Sequence, residues 1–188
     1  MILYHGSSVA DLTELQPHIS EHKEPYIYFT NNIAVAALYT VHKVKRPYNW
    51  FPYGFDCHNI PVYNEYYPNA LADVYNEKTG YIYPCSNIPD TENPTNINCA
   101  YVFKNPVKVD SCIILDDVYS ALREYEKQGL LIVKRYEQLT GEQKDNIYKM
   151  IKNEIISNDL CYIPDCDYSK FLKVHFPKAW ADAVCGKQ

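Results

Sequence analysis

Apolar residues along this chain come in short clusters, broken repeatedly by polar or proline-bearing stretches. Ile2 to His5 reads as a strand, and a polar loop with Pro17 and Pro25 as breakers follows. Tyr26 to Thr30 is dense in β-favouring residues and reads as a second strand. Asn31 or Asn32 can cap a helix running to about Val41, with Ile33, Ala36, Ala37 and Tyr39 or Thr40 near one side. Residues 46–68 read as irregular, with Pro47, Pro52, Pro61 and Pro68 among many aromatics, and are too long and aromatic for a mere connector. Asn69 to about Glu77 follows as a short helix. Gly80 opens a strand, Tyr81 to Cys85, which Pro84 marks as irregular or at an edge. A polar loop over 86–98 leads to strands at Cys99–Phe103 and Val107–Leu115, with a turn at Lys104-Asn105-Pro106 between them.

The second half turns helical. Asp116 or Asp117 can cap a helix through Gln128, with Val118, Ala121, Leu122 and Tyr125 inward and Gly129 as its stop. Leu130 to Val133 is one more buried strand, and Thr140-Gly141-Glu142-Gln143 is a capping box opening a helix with Ile147, Met150, Ile151 and Ile155 inward. A last helix is expected around Trp180. The pattern is α+β, with a mainly β early half and a helical end from about 117 to 188. One domain over 1–188 is the simplest count for this length.

Composition narrows the class without naming a function. Hydrophobic content of 47% and charged content of 22% fit an ordinary globular chain. No apolar run approaches the roughly 20 residues that span a bilayer, so no membrane role is expected. The N-terminus runs straight into Met1-Ile2-Leu3-Tyr4 without a basic flank, which points to the cytoplasm. A net charge of −5 argues against general nucleic-acid binding. Lys43, Lys45 and Arg46 form the best basic cluster, either offsetting a helix dipole or contacting a diphosphate. Seven cysteines without Cys-x-x-Cys favour free thiols over a metal site, although Cys161, Cys166 and His175, or Cys57-His58 with another partner, are residue types that bind zinc.

Three short segments carry the candidate chemistry. Leu3-Tyr4-His5-Gly6-Ser7-Ser8 opens the chain, Tyr26-Ile27-Tyr28-Phe29-Thr30 follows, and an apolar stretch ends at Tyr39. Together they resemble the ADP-ribosyltransferases of the diphtheria-toxin and poly(ADP-ribose) polymerase branch, and locally the rifamycin ADP-ribosyltransferases. In that branch a His-Gly pair ends the first strand, a Tyr lies on the next core strand, and a second Tyr follows eleven residues later on a helix. The resemblance implies a split, mostly antiparallel β core with flanking helices. It also implies NAD as substrate with no metal, and ADP-ribosyl transfer to an unknown acceptor, a protein among the candidates, or NAD hydrolysis. His5 would bond a ribose, Gly6 the nicotinamide amide with Ser7 beside it, and Tyr28 and Tyr39 would sandwich the ring.

The third element of that family, a carboxylate at the head of a late strand, falls on Ala100 in the best register. Asp90, Glu92 and Glu65 are the candidate replacements, with Asn98 a weaker one. Glu65 is favoured as the catalytic carboxylate because its neighbours Tyr63, Tyr66 and Tyr67 could bury it. The alternative functions are a non-catalytic module binding NAD or ADP-ribose, and an interaction protein of phage or defence type.

Overall fold

The computed structural model describes residues 1–19, 24–41, 54–86, 88–89, 91–93 and 97–185. In chain order these form β1 (Ile2–Ser7), β2 (Glu14–Leu15), β3 (His18–Ile19), β4 (Pro25–Thr30), α1 (Ile33–Leu38), β5 (Gly54–Phe55), β6 (Pro61–Asn64) and α2 (Ala70–Tyr75). They continue with β7 (Gly80–Ser86), β8 (Ala100–Phe103), β9 (Val107–Lys108), β10 (Ile113–Leu115), α3 (Val118–Lys127) and β11 (Ile132–Lys134). Helices α4 (Gly141–Ser157), α5 (Asp167–His175) and α6 (Pro177–Cys185) close the chain. The class is α+β, with antiparallel pairing between the registered strands.

The chain forms two compact units. The first holds residues 1–64 and 71–133, the second 65–70 and 134–188. In the first unit a six-stranded sheet runs β10-β7-β1-β4-β3, with β8 also paired to β4. Both faces of its central strands β1, β4 and β7 are covered, which fits apolar residues on both of their faces rather than a strict alternation. One face packs Ile82 and Tyr4 against α1, α2 and α3 through Ala36, Ala37, Leu71, Val74, Val118 and Leu122. The other face gathers Leu3, Leu15, Ile27, Phe29, Tyr83 and Cys85. Burial there pushes the Cys85 thiol up to about 11, so it behaves as a small apolar group.

The helix starts follow local chemistry. The Asn32 side chain accepts from the N–H groups of Ala34 and Val35, fixing the start of α1. Asp117 does the same for Ser120, and Thr140 with Gln143 closes a full capping box on α4. Helix α1 is shorter than its apolar pattern suggests. It ends at Tyr39, and the buried Thr40 turns its hydroxyl back to the Ala37 carbonyl at 2.7 Å.

Two expectations are revised, and a third holds. The stretch 46–68 is not wholly irregular: β5 and β6 form a hairpin around Asp56, whose carboxylate accepts from His58 and Ile60 N–H, and β6 also pairs with β11. Pro61 is tolerated because it is the first residue of its strand. Val107–Leu115 is not one strand. Polar Asp110 and Ser111 interrupt it, so β9 pairs with β2 and β10 with β7. Pro84, expected to be irregular or at an edge, pairs with Tyr4 on one side and lies beyond the Gly80–Ile82 stretch that β10 covers, so its other side is a sheet edge among the described residues. Lys43, Lys45, Arg46 and Asp90 lie outside the described residues.

The second unit is helical. Ile151 and Ile155 of α4, Leu160, Leu172 of α5 and Ala179 and Ala183 of α6 are its buried apolar residues. Tyr67 enters this unit from the 65–70 segment and packs against Phe171, His175 and Phe176, with ring centroids 5.7, 4.2 and 5.8 Å away. No helix among the described residues is long and apolar enough to cross a membrane.

Candidate functional site

Strand β1 is fully paired with β7, from Ile2 opposite Ser86 to Ser7 opposite Tyr81. With β4 it pairs only at Tyr4 opposite Thr30, and the two strands then part. His5 sits at the parting. Its Nδ1 lies 2.9 Å from the Tyr28 carbonyl oxygen. A carbonyl can only accept, so Nδ1 carries the proton and donates, which leaves Nε2 of the neutral ring as an acceptor. Burial lowers the His5 pKa below the usual 6.5, the bond to Tyr28 opposes that shift, and nearby His18 adds to it. The imidazole is therefore neutral at pH 7, with a fixed tautomer.

Strand alternation sorts the remaining groups. The His5 ring meets the Phe29 ring edge-on at 6.0 Å, which puts both on one face of the sheet. Tyr28 follows Tyr26, Thr30 and Tyr4 onto the other face, where α1 packs; the Tyr26 and Tyr28 rings meet edge-on at 6.1 Å. Gly6 also belongs to that face. A Cβ on Gly6 would fall inside contact distance of the Ala36 carbonyl oxygen, 2.9 Å from its carbon and 3.2 Å from Cβ of Tyr39. So Gly6 lets β1 lie directly on the end of α1, and this contact brings Tyr39 beside the strand. Tyr39, the C-terminal cap of the helix, is 40% exposed. Ser7 is engaged locally: its hydroxyl accepts from the Val9 N–H at 3.0 Å.

His5, Gly6, Tyr28 and Tyr39 all lie in the first unit, but the His5 ring is on one face of the sheet and Gly6, Tyr28 and Tyr39 are on the other, with the Tyr28 backbone carbonyl linking the two. The carboxylate candidates are distributed differently. Ala100 opens β8 directly opposite Thr30, so a methyl group occupies the row Tyr4–Thr30–Ala100. Glu65 belongs to the second unit and is 2% exposed. Its carboxylate lies 3.8 Å from the Arg135 guanidinium and accepts from the Tyr136 N–H at 3.3 Å, while its own N–H donates to the Lys134 carbonyl. Asn98 donates from its side chain to the Asn59 side chain at 2.8 Å.

Glu92 is placed by backbone pairing. It exchanges two hydrogen bonds with Val102, at 3.1 and 2.9 Å, and Val102 is in turn opposite Tyr28 on β4. Glu92, Val102 and Tyr28 therefore form one row across the sheet edge. Lys104, at the turn that follows β8, lies over the Tyr26 ring at 5.4 Å and 3.9 Å from Glu24. Nothing in the sequence marks that placement except the even spacing of Val102 and Lys104. Among the described residues no group of three His, Cys, Asp or Glu is placed to hold a metal ion. No family model, curated protein or solved structure matches the chain.

Proposed function

We propose that the parted edge of β1 and β4 binds NAD, and that the chain breaks the bond between nicotinamide and ribose, passing ADP-ribose to an acceptor or to water. The observation that carries this reading is the state of His5: neutral, fixed through Nδ1, and presenting Nε2 as an acceptor. A ribose hydroxyl is a donor that such an atom suits. Tyr28 and Tyr39 supply aromatic faces for a cationic pyridinium ring. The expected split β core and the roles of Gly6 and Ser7 belong to the same proposal. A second reading, a binding module without turnover, is favoured by Ala100, because its methyl group can neither bond a ribose hydroxyl nor stabilise an oxocarbenium-like charge.

The test is calorimetric titration of NAD into the full chain, together with nicotinamide release, for wild type and His5→Ala. Saturable binding that weakens at least about tenfold in the variant, with release, supports the enzyme. Binding of the same kind without release, with and without added acceptors, supports the module. Absence of NAD binding at millimolar concentration refutes both.

A further inference from the structure

Tyr83 of β7 stands directly opposite His5 of β1, so the two side chains share a face of the sheet. Its ring is buried there with Leu3, Phe29 and Cys85. Its hydroxyl reaches the turn that follows β1, donating to the Val9 carbonyl at 2.7 Å and accepting from the Leu12 N–H at 3.2 Å. Burial pushes the Tyr83 pKa above the usual 10, so the hydroxyl keeps the proton that it donates. The turn needs such partners. Between β1 and β2 the chain belongs to no strand, so Val9 and Leu12 take their hydrogen bonds from side chains. Asp11, just before Leu12, is in the left-handed region at φ 55°, which makes the bend sharp. Leu12 then packs on the same face as Tyr83.

We infer that Tyr83 is a positioning residue of the proposed NAD site: its hydroxyl holds the turn over residues 8–12 against the face that carries the His5 ring. The inference rests on the NAD reading above. The turn continues directly from His5-Gly6-Ser7, the segment assigned there to the ribose and the nicotinamide amide. That segment is fixed from both sides of the sheet. On one side Gly6 abuts Ala36 of α1 and its cap Tyr39. On the other, the Ser7 hydroxyl accepts from the N–H of Val9, the residue whose carbonyl Tyr83 holds. Tyr83 therefore acts on Ser7 through the Val9 backbone, and on the surroundings of His5 through Leu12. It does so without touching the ligand. Removing the hydroxyl alone keeps the ring in its core but takes this partner from the Val9 carbonyl and the Leu12 N–H. The turn then loosens, and His5 gains water.

The experiment uses the full chain as wild type, Tyr83→Phe and Asp117→Ala. Asp117 caps α3 and bonds the Glu77 N–H, so its loss weakens the fold without touching the turn. Without ligand, NMR titration of the histidine rings follows His5. Expected is a pKa below 6.5 in wild type and Asp117→Ala, and one that climbs toward 6.5 in Tyr83→Phe. Calorimetric titration of NAD, at a temperature where every variant is folded, should then show affinity about tenfold weaker for Tyr83→Phe and unchanged for Asp117→Ala. A tyrosine that only supports the core would lower the unfolding midpoint and leave both readouts as in wild type. Either readout unchanged in Tyr83→Phe overturns the inference, as does an equal change in Asp117→Ala. If wild type ignores NAD, the NAD reading fails and the positioning role with it. A His5 shift confined to Tyr83→Phe would then leave only the clamp on the turn standing.

Discussion

Replacing Gly6 by alanine separates two reasons for a glycine at this place. In the first, the missing Cβ only lets a ligand approach the backbone, and Gly6→Ala folds normally but binds NAD poorly. In the second, the helix itself occupies the space. The structure favours the second: the added methyl would lie 2.9 Å from the Ala36 carbonyl carbon and 3.2 Å from Cβ of Tyr39. Neither partner is a flexible side-chain end. Helix α1 cannot easily retreat, because Ala34, Ala36 and Ala37 are at most 1% exposed and packed on all sides. Overpacking a well-filled core costs about 1–3 kcal/mol when side chains can adjust, and more when backbone must move. We expect a loss of at least about 3 kcal/mol, a large fraction of the roughly 5–15 kcal/mol that typical domains possess. Urea unfolding followed by circular dichroism measures it as a lowered midpoint at unchanged slope. A midpoint equivalent to less than about 0.5 kcal/mol of destabilisation would refute the packing argument and return Gly6 to a purely ligand-facing role.

Three further outcomes follow from the same geometry. The folded-state pKa of His5 lies below 6.5, so the unfolded chain binds the extra proton first; the His5 contribution is intact above about pH 6.5 and stability falls as pH drops below that value. His5→Gln should flatten this acid limb in a pH series of unfolding midpoints, and an unchanged limb would contradict the assignment. Glu65→Ala leaves the Tyr136 N–H without its carboxylate and Arg135 without its ion pair, which should cost about 2–3 kcal/mol, with Glu65→Gln costing less. Equal unfolding midpoints for Glu65→Ala and wild type would show that neither contact stabilises the fold. Asp117→Ala loses a helix cap on Ser120 and the acceptor for the Glu77 N–H, for about 1–2 kcal/mol by denaturant unfolding; a loss under about 0.3 kcal/mol would show that neither bond matters.

What was legible in the sequence was mostly local. Asn32, Asp117 and the Thr140–Gln143 pair announce helix starts because their partners lie within three residues. The burial of Glu65 was also legible, since Tyr63 and Tyr67 flank it. Its partner was not, because Tyr136 is 71 positions away and contributes a backbone N–H that every non-proline residue has. The same blindness applies to His5, whose fixed tautomer depends on the Tyr28 carbonyl rather than on the Tyr28 ring. The β5–β6 hairpin was hidden by its prolines and aromatics, which resemble a loop until Pro61 is seen to head a strand. The break between β9 and β10 was hidden by apolar residues on both sides of it, and only the pairing of each half with a different strand reveals it.

The placement of charge has a consequence for how the proposed activity would be observed. Breaking the nicotinamide bond builds positive charge on the ribose, and a carboxylate beside that ribose normally stabilises it. At the head of β8 this chain offers Ala100. The carboxylate in register with Tyr28 is Glu92, about 10 Å across the sheet with Val102 between them. A charge at that range acts weakly through water, and its effect grows only when bound molecules exclude solvent. An enzyme built this way would cleave NAD slowly alone and faster with its acceptor seated, since the acceptor both displaces water and brings the nucleophile. The ratio of nicotinamide release with and without an added acceptor therefore reports on the mechanism more directly than either rate. A ratio near one in a chain that hydrolyses NAD would place the stabilising group elsewhere than Glu92.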